Sequence, residues 1–262
     1  MYRVNKYERP ETVEACAELL RSSPRSMLIA GNMFLRMSNI NIPLAIDLSA
    51  CGLDYVRKEE DGTIRIGAMC TLRELEVNPL LRGYCAGLIS QAAGEIIGVQ
   101  FRNLATAGAS VFSKYGFSDV ITPLLAVDAR INLFEQGEIS LEEFLKQPLR
   151  RDLLTEIILP PCEGTGKFMS FRNSAGDFSI LNVAVSSAGG RERIAVGARP
   201  ARAALAYEAM KLADAGARQE EVAAAAAAEL SFGTNMRGSA EYRRALCSVL
   251  VERALTAIGE VE

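Results

Sequence analysis

The chain has 262 residues, 49% of them hydrophobic and 23% charged, with a formal net charge of −3 and no histidine. That length accommodates two domains, or one domain with subdomains, and the composition is that of an ordinary core-forming protein. Interspersed Lys, Arg, Asp and Glu argue against a broad nucleic-acid-binding face, and the absence of His removes Ser-His and Cys-His nucleophile pairs and His-bearing metal sites.

Residues 1–53 read as a small α+β unit. Apolar positions at helical spacing predict a helix over Glu11–Leu20, opened by Pro10 and closed at Ser22-Ser23-Pro24. Met27–Ala30 predicts a strand running into a Gly31-Asn32 turn, and Leu44–Leu48 a second buried strand. Residues 54–162 read as a second unit. Tyr55–Arg57 and Thr63–Gly67 flank a polar turn, which is a hairpin signal. Thr71 and Glu74 form a capping-box pattern that opens a helix. Leu80–Ile97 and Ser118–Leu125 predict further helices, and Ala129–Phe134 and Leu154–Leu159 further strands. Residues 163–262 form a third unit, with a hairpin of Phe178–Ser186 and Ile194–Gly197. Alanine-rich helices are expected after it over Ala201–Ala215, Gln219–Glu229 and Ala240–Ile258.

No apolar run approaches the roughly 20 residues that span a bilayer, and no signal-peptide segment is evident, so no membrane association and a cytoplasmic protein are expected. Cys16, Cys51, Cys70, Cys85, Cys162 and Cys247 contain no C-x-x-C pair. Reduced, buried thiols are expected rather than a zinc site, an iron–sulfur cluster or a disulfide framework.

Two short segments could carry chemistry. In Leu28-Ile29-Ala30-Gly31-Asn32-Met33-Phe34-Leu35, Gly and Asn tolerate positive φ and can turn several N–H groups toward an anion. In Thr106-Ala107-Gly108-Ala109-Ser110, hydroxyls can donate to phosphate while Gly108 permits close approach of the backbone. Read singly, each is an ordinary turn. Together, some 75 positions apart, they would suit the two halves of a diphosphate in a chain with no G-x-G-x-x-G. Asp119 either caps the following helix or accepts from ribose hydroxyls. Arg172 and Asp177 read as a surface ion pair or as a loop beside a cofactor. Tyr242-Arg243-Arg244 read as a helix with a packed Tyr and solvated Arg side chains. The diphosphate reading requires the two bends to converge and the cleft between them not to be plugged by Met33 and Phe34.

These segments lie in a longer pattern: I-A-G-N-x-x-L, T-I-R-I-G-A-M-C-T-L-R-E-L-E, R-N-L-A-T-A-G-A-S with S-D-V-I-T-P-L-L-A-V-D-A, L-L-T-E-I-I-L-P, F-R-N-S-A-G-D-F-S-I-L-N-V-A-V and S-A-E-Y-R-R-A-L-C-S-V-L-V-E-R-A-L. Order and spacing resemble, nearly end to end, the FAD-binding medium subunit of molybdenum hydroxylases of the xanthine dehydrogenase and carbon monoxide dehydrogenase type. The resemblance implies an α+β fold: two subdomains of the vanillyl-alcohol-oxidase/PCMH type clasping FAD, then a C-terminal domain of sheet plus helices. It implies that Leu28–Leu35 and Thr106–Ser110 hold the diphosphate and Asp119 the ribose or a nearby phosphate. It also places Ile96 near the adenine, Leu154 near the flavin ring, Met169 where many members carry a flavin-side Lys, and the Asp177 loop beside the isoalloxazine. The implied partners are a molybdopterin-binding large subunit and a [2Fe-2S] small subunit, with electrons passing through FAD to NAD or another acceptor.

Four segments depart from the family pattern. Asn32-Met33-Phe34 replaces Gly with a hydroxyl residue and a polar one, Ala109 replaces the second Gly of T-x-G-G, Ser113–Gly116 replaces A-S-P, and Met169 replaces Lys. Each removes a donor or adds bulk at the cofactor, with Lys114 and Arg102 as candidate compensating charges. A degenerate homologue with weak or lost FAD binding, kept as an assembly scaffold, is therefore the alternative. A stand-alone FAD reductase of the enolpyruvyl-glucosamine reductase kind is disfavoured by the C-terminal Y-R-R helix and the D-F-S-I-L-N-V-A-V strand.

Overall fold

Three sheets follow one another along the chain in the computed structural model, which describes residues 2–260. The first is parallel, with β1 (Arg3–Glu8), β2 (Ser26–Ile29) and β3 (Asn41–Asp47) in the order β1-β3-β2. The helix Val13–Ser22 links β1 to β2 and buries Cys16, Ala17 and Leu20. It begins two residues after the expected Glu11, because the Thr12 side chain accepts from the Ala15 N–H and so serves as the N-cap. The connection from β2 to β3 carries the first candidate bend.

The second sheet is antiparallel throughout, β4 (Val56–Lys58), β5 (Ile64–Gly67), β6 (Arg130–Leu133), β7 (Gly137–Ser140) and β8 (Leu154–Leu159), ordered β4-β5-β8-β6-β7. All six residues of the central β8 are buried, Thr155 and Glu156 included, which explains why Leu154, Ile157, Ile158 and Leu159 do not alternate strictly with polar residues. A layer of short helices fills the sequence between β5 and β6. Thr71 caps Leu72–Val77 by accepting from the Glu74 N–H, but Glu74 turns away and accepts from the Asn78 amide instead of closing the box. The single helix expected over Leu80–Ile97 is two, Pro79–Gly83 and Leu88–Gly94. Cys85, Ala86 and Gly87, with φ of 48°, 53° and 75°, break it. Tertiary ties hold that break: the Tyr84 hydroxyl donates to the Pro160 carbonyl and the Cys85 thiol to that of Thr165.

The third sheet, β9 (Gly164–Phe171), β10 (Leu181–Ala188), β11 (Arg191–Gly197) and β12 (Ala204–Leu205), is antiparallel in the order β12-β11-β10-β9. Its β10–β11 hairpin turns through Gly189 and Gly190, both at positive φ. Val183 and Val185 of β10 pack under the helices Gln219–Glu229 and Ala240–Gly259, while Ala184 and Phe168 face the core of the second sheet. Strand alternation thus places this sheet between two cores. The helix expected over Ala201–Ala215 starts only at Tyr207, because Ala204–Leu205 pairs with β11 as an edge strand. All six cysteines are free thiols; Cys51 and Cys162 are half-buried and the other four buried.

Candidate functional site

The first bend leaves β2 at Ile29 and turns through Gly31 (φ +65°) and Asn32 (φ +58°), with the Asn32 N–H folded onto the Ala30 carbonyl. A Cβ on Gly31 would lie 2.0 Å from the Leu104 carbonyl oxygen, so only glycine lets the bend approach the chain entering Thr106 this closely. The two bends therefore converge.

The second bend is the opening of a helix rather than a loop. Thr106 is the N-cap of Ala107–Phe112, and Ala109 has no positive φ, so the Ala-for-Gly replacement carries no backbone strain. Gly108 is required for another reason: a Cβ there would sit 2.6 Å from that of Ala68. The amides a phosphate would seek are already used. Ala107 N–H donates to the Cys70 carbonyl, Gly108 N–H to that of Ala68, and Ala109 N–H to the Thr106 hydroxyl oxygen. The Ser110 hydroxyl donates to the Thr106 carbonyl.

Asp119 is buried with both carboxylate oxygens engaged. Oδ1 accepts from the Ser179 hydroxyl at 2.7 Å and the Asn182 amide at 2.6 Å, and Oδ2 from Arg172 at 3.0 Å. Arg172 also reaches Glu95 and the Asp177 backbone carbonyl, not the Asp177 carboxylate. The expected Arg172–Asp177 ion pair is therefore replaced by Arg172–Asp119 and by Asp177–Arg237, the latter at 2.9 Å. Arg237 and the Phe178 N–H hold the Asp177 carboxyl below its usual range.

Phe34 turns into a cluster of aromatic rings. Its centroid lies 5.1 Å from Tyr115, 5.7 Å from Phe117, 6.1 Å from Phe178 and 6.4 Å from Phe101. Met33 packs on the main core. Leu28 packs against the Cys16–Leu20 side of the first subdomain, and Leu35 opens a single 3-10 turn over the small Ile29–Ile42–Ala45 cluster. Ile96 also packs on the main core, and its carbonyl accepts from Arg102. Leu154 lies inside that core, and Met169 packs toward the C-terminal helices. Thus the structure brings Gly31–Phe34, the Leu104–Thr106 approach and the Asp177–Phe178 loop together, and places Leu154 and Met169 in cores. Lys114 and Arg102 supply no charge to the bends: Lys114 is buried on the Phe144 and Gln147 carbonyls, and Arg102 pairs with Glu76.

In their approach the bends suit a diphosphate. In their donors they differ: the second bend's amides are spent on neighbours, whereas in the first, among the described residues, only the Asn32 N–H is folded back, onto the Ala30 carbonyl. The requirement of convergence is met at the Gly31–Leu104 contact, while Met33 packs on the main core and Phe34 among the aromatic rings. Sequence reading missed the aromatic cluster, although Phe101, Tyr115 and Phe117 bracket the second bend within 17 residues. It also missed Arg243, which is only 1% exposed rather than solvated. Among the described residues no group of His, Cys, Asp and Glu could hold a metal, and no helix is long and apolar enough to cross a membrane.

Residues 2–162 match the family described as the FAD binding domain in molybdopterin dehydrogenase, and residues 167–258 the CO dehydrogenase flavoprotein C-terminal domain. The chain is 29% identical over 255 residues to the uncharacterised protein YgfM of Escherichia coli (strain K12), covering 95% of this chain and 94% of that protein. It is 25% identical over 279 residues to the nicotine 6-hydroxylase medium subunit of Paenarthrobacter nicotinovorans, with 97% of each covered. Carbon monoxide dehydrogenase from Hydrogenophaga pseudoflava superposes with a TM-score of 0.87 at 25% identity, over 98% of both chains. Sheet order, the two matched domains and these relatives agree: the chain belongs to the molybdenum-hydroxylase family as a two-domain FAD-binding subunit of the xanthine dehydrogenase and CO dehydrogenase kind.

Proposed function

We propose that this chain is the electron-transfer subunit of a cytoplasmic molybdenum-hydroxylase complex, taking electrons from a [2Fe-2S] small subunit and delivering them to NAD or another acceptor. Substrate oxidation then belongs to a molybdopterin-binding large subunit. The medium-subunit relative supports partners of this kind, and the two matched domains span 2–258 with no cluster-binding cysteine pattern in the sequence. FAD supplies the redox chemistry when bound; the protein supplies position and electrostatics. The observation that carries the reading is the backbone contact between the Gly31 bend and Leu104, which brings the two family segments to one place.

A second reading has its own support. Phe34 in the aromatic cluster, the spent amides of Ala107–Ala109 and the engaged Asp119 carboxylate favour a subunit that holds FAD weakly or acts as a scaffold without it. Reconstitution with excess FAD followed by gel filtration separates the two. Flavin absorbance co-eluting with the protein, with diaphorase activity on NADH and an artificial acceptor, supports the electron-transfer role. Protein eluting without flavin leaves the scaffold.

A further inference from the structure

Next to the aromatic cluster lies a cavity of about 300 Å³, walled by Phe117, Phe178, Arg202, Asn235, Arg237 and Arg243. Phe117 and Phe178 belong to both features, whereas Phe34 does not line the cavity. Three guanidinium groups face a space with one carboxylate at its edge. Asp177 accepts from Arg237 Nε alone, and among the described residues neither terminal nitrogen of Arg237 has a protein acceptor. Arg202 spends one terminal nitrogen on the Leu145 and Gln147 carbonyls. Arg243 is held by the carbonyls of Ile180, Gly233 and Gly238 and by the Asn235 side-chain oxygen, with no carboxylate among its partners. The Asn235 oxygen also accepts the Arg237 N–H. Its amide orientation is thereby fixed, and its NH₂ is a free donor on the cavity wall.

The surroundings add positive charge rather than offsetting it. Arg199, 6% exposed, donates to the carbonyls of Ser231 and Arg202, and its Nε has no partner. Lys114, 5% exposed, shares the Gln147 carbonyl with Arg202. Among the described residues no carboxylate lies within ion-pair distance of Arg199, Arg202, Arg243 or Lys114. Buried cations satisfied only by carbonyl dipoles are costly unless a counter-charge is supplied, and here the protein does not supply it. Arg243 is such a buried cation on the cavity wall, and the exposed Arg202 adds a second guanidinium, a pair that matches a phosphate dianion better than a single carboxylate. Guanidinium forks present paired N–H donors that match the oxygens of a phosphate.

We propose that this cavity is a phosphate-binding site, separate from the cofactor cleft, taking inorganic phosphate or the phosphoryl end of a small molecule whose remainder lies against Phe117. Its donors are the terminal nitrogens of Arg237 and Arg202, the Asn235 amide and the remaining N–H of Arg243.

Isothermal titration of the full chain with inorganic phosphate and, separately, with AMP tests it, using wild type, Asn235→Asp and Arg237→Gln. Asn235→Asp keeps the shape and both accepted hydrogen bonds but turns the donor into an anion, so it should remain folded and weaken binding at least tenfold. Saturable binding lost in both variants, with FAD uptake of Asn235→Asp equal to that of wild type, supports the site. AMP binding more tightly than phosphate then identifies a phosphorylated small molecule as the ligand, and equal binding identifies free phosphate. No saturable binding at millimolar phosphate or AMP overturns the proposal, as does unchanged binding in Asn235→Asp. Parallel loss of FAD uptake in Asn235→Asp also overturns it, because the cavity would then belong to the cofactor cleft.

Discussion

Gly31 and Leu104 meet backbone to backbone, with room for a hydrogen and none for a methyl: a Cβ would lie 2.0 Å from the Leu104 carbonyl oxygen. This contact joins the first subdomain to the entry of the second bend. Gly52 has the same φ of +65° and nothing within 4 Å of its Cβ position. Gly52→Ala should therefore cost only the left-handed conformation, about 1 kcal/mol. Gly31→Ala should cost a further 1–3 kcal/mol or so, because the clash forces the bends apart. Urea unfolding of both variants measures the difference, and equal midpoints would mean that the contact is not tight.

Phe34 packs with four rings where the family pattern has a polar residue. Phe34→Ser should cost about 1–2 kcal/mol of stability, since the ring is only half-buried. In the same variant FAD retained after gel filtration should rise, because the side chain that fills the cleft is gone. Flavin absorbance per chain reads this directly, and retention no higher than in wild type would show that Phe34 is not the obstacle.

Lys114 donates to the carbonyls of Phe144 and Gln147 at 2.6 and 3.0 Å. Burial, with Arg202 and Arg150 contributing, lowers its pKa from 10.5 to about 8. Between those values the unfolded chain binds more protons than the folded one, so this lysine's contribution to stability rises with pH. The penalty is fully present below pH 8 and gone above 10.5. The stability of wild type relative to Lys114→Met should therefore increase across this window, by at most about 1.4 kcal/mol per pH unit. Denaturant titrations of both proteins across the window measure it; a flat difference would mean that Lys114 keeps an ordinary pKa.

Asp119 ties Arg172, Ser179 and Asn182 at the seam between the helical layer and the third sheet. Asp119→Ala leaves an almost buried guanidinium facing only Glu95 at its rim, and should cost about 3–5 kcal/mol. The loss should appear in protein without FAD. A variant as stable as wild type in that state, yet defective in FAD uptake, would instead assign the carboxylate to the cofactor.

The parts legible in the sequence were those with a local cause. Thr71 announces a helix start by its own side-chain cap, and Gln219–Glu229 is a helix because alanine leaves nothing else to compete. The apolar Leu153-Leu154 and Ile157–Leu159, ended by Pro160-Pro161, mark a strand. By contrast, the break at Cys85–Gly87 rests on bonds to Pro160 and Thr165, more than 70 residues away, and no pattern within the segment encodes it. The same holds for Ala204–Leu205, which is a strand only because β11 lies beside it.

The amino-acid sequence by itself determined the family, the order of the three units and the two glycine-bearing segments, because spacing, caps and hydrophobic runs are written locally. Tertiary structure alone decided what those segments can do. It spent the Ala107–Ala109 amides on neighbours, closed Asp119 within a network, turned Phe34 into the aromatic cluster and buried Arg243 beside a cavity. Hydrogen bonds and charges between residues far apart in the chain are set by packing, and packing is a property of the folded molecule.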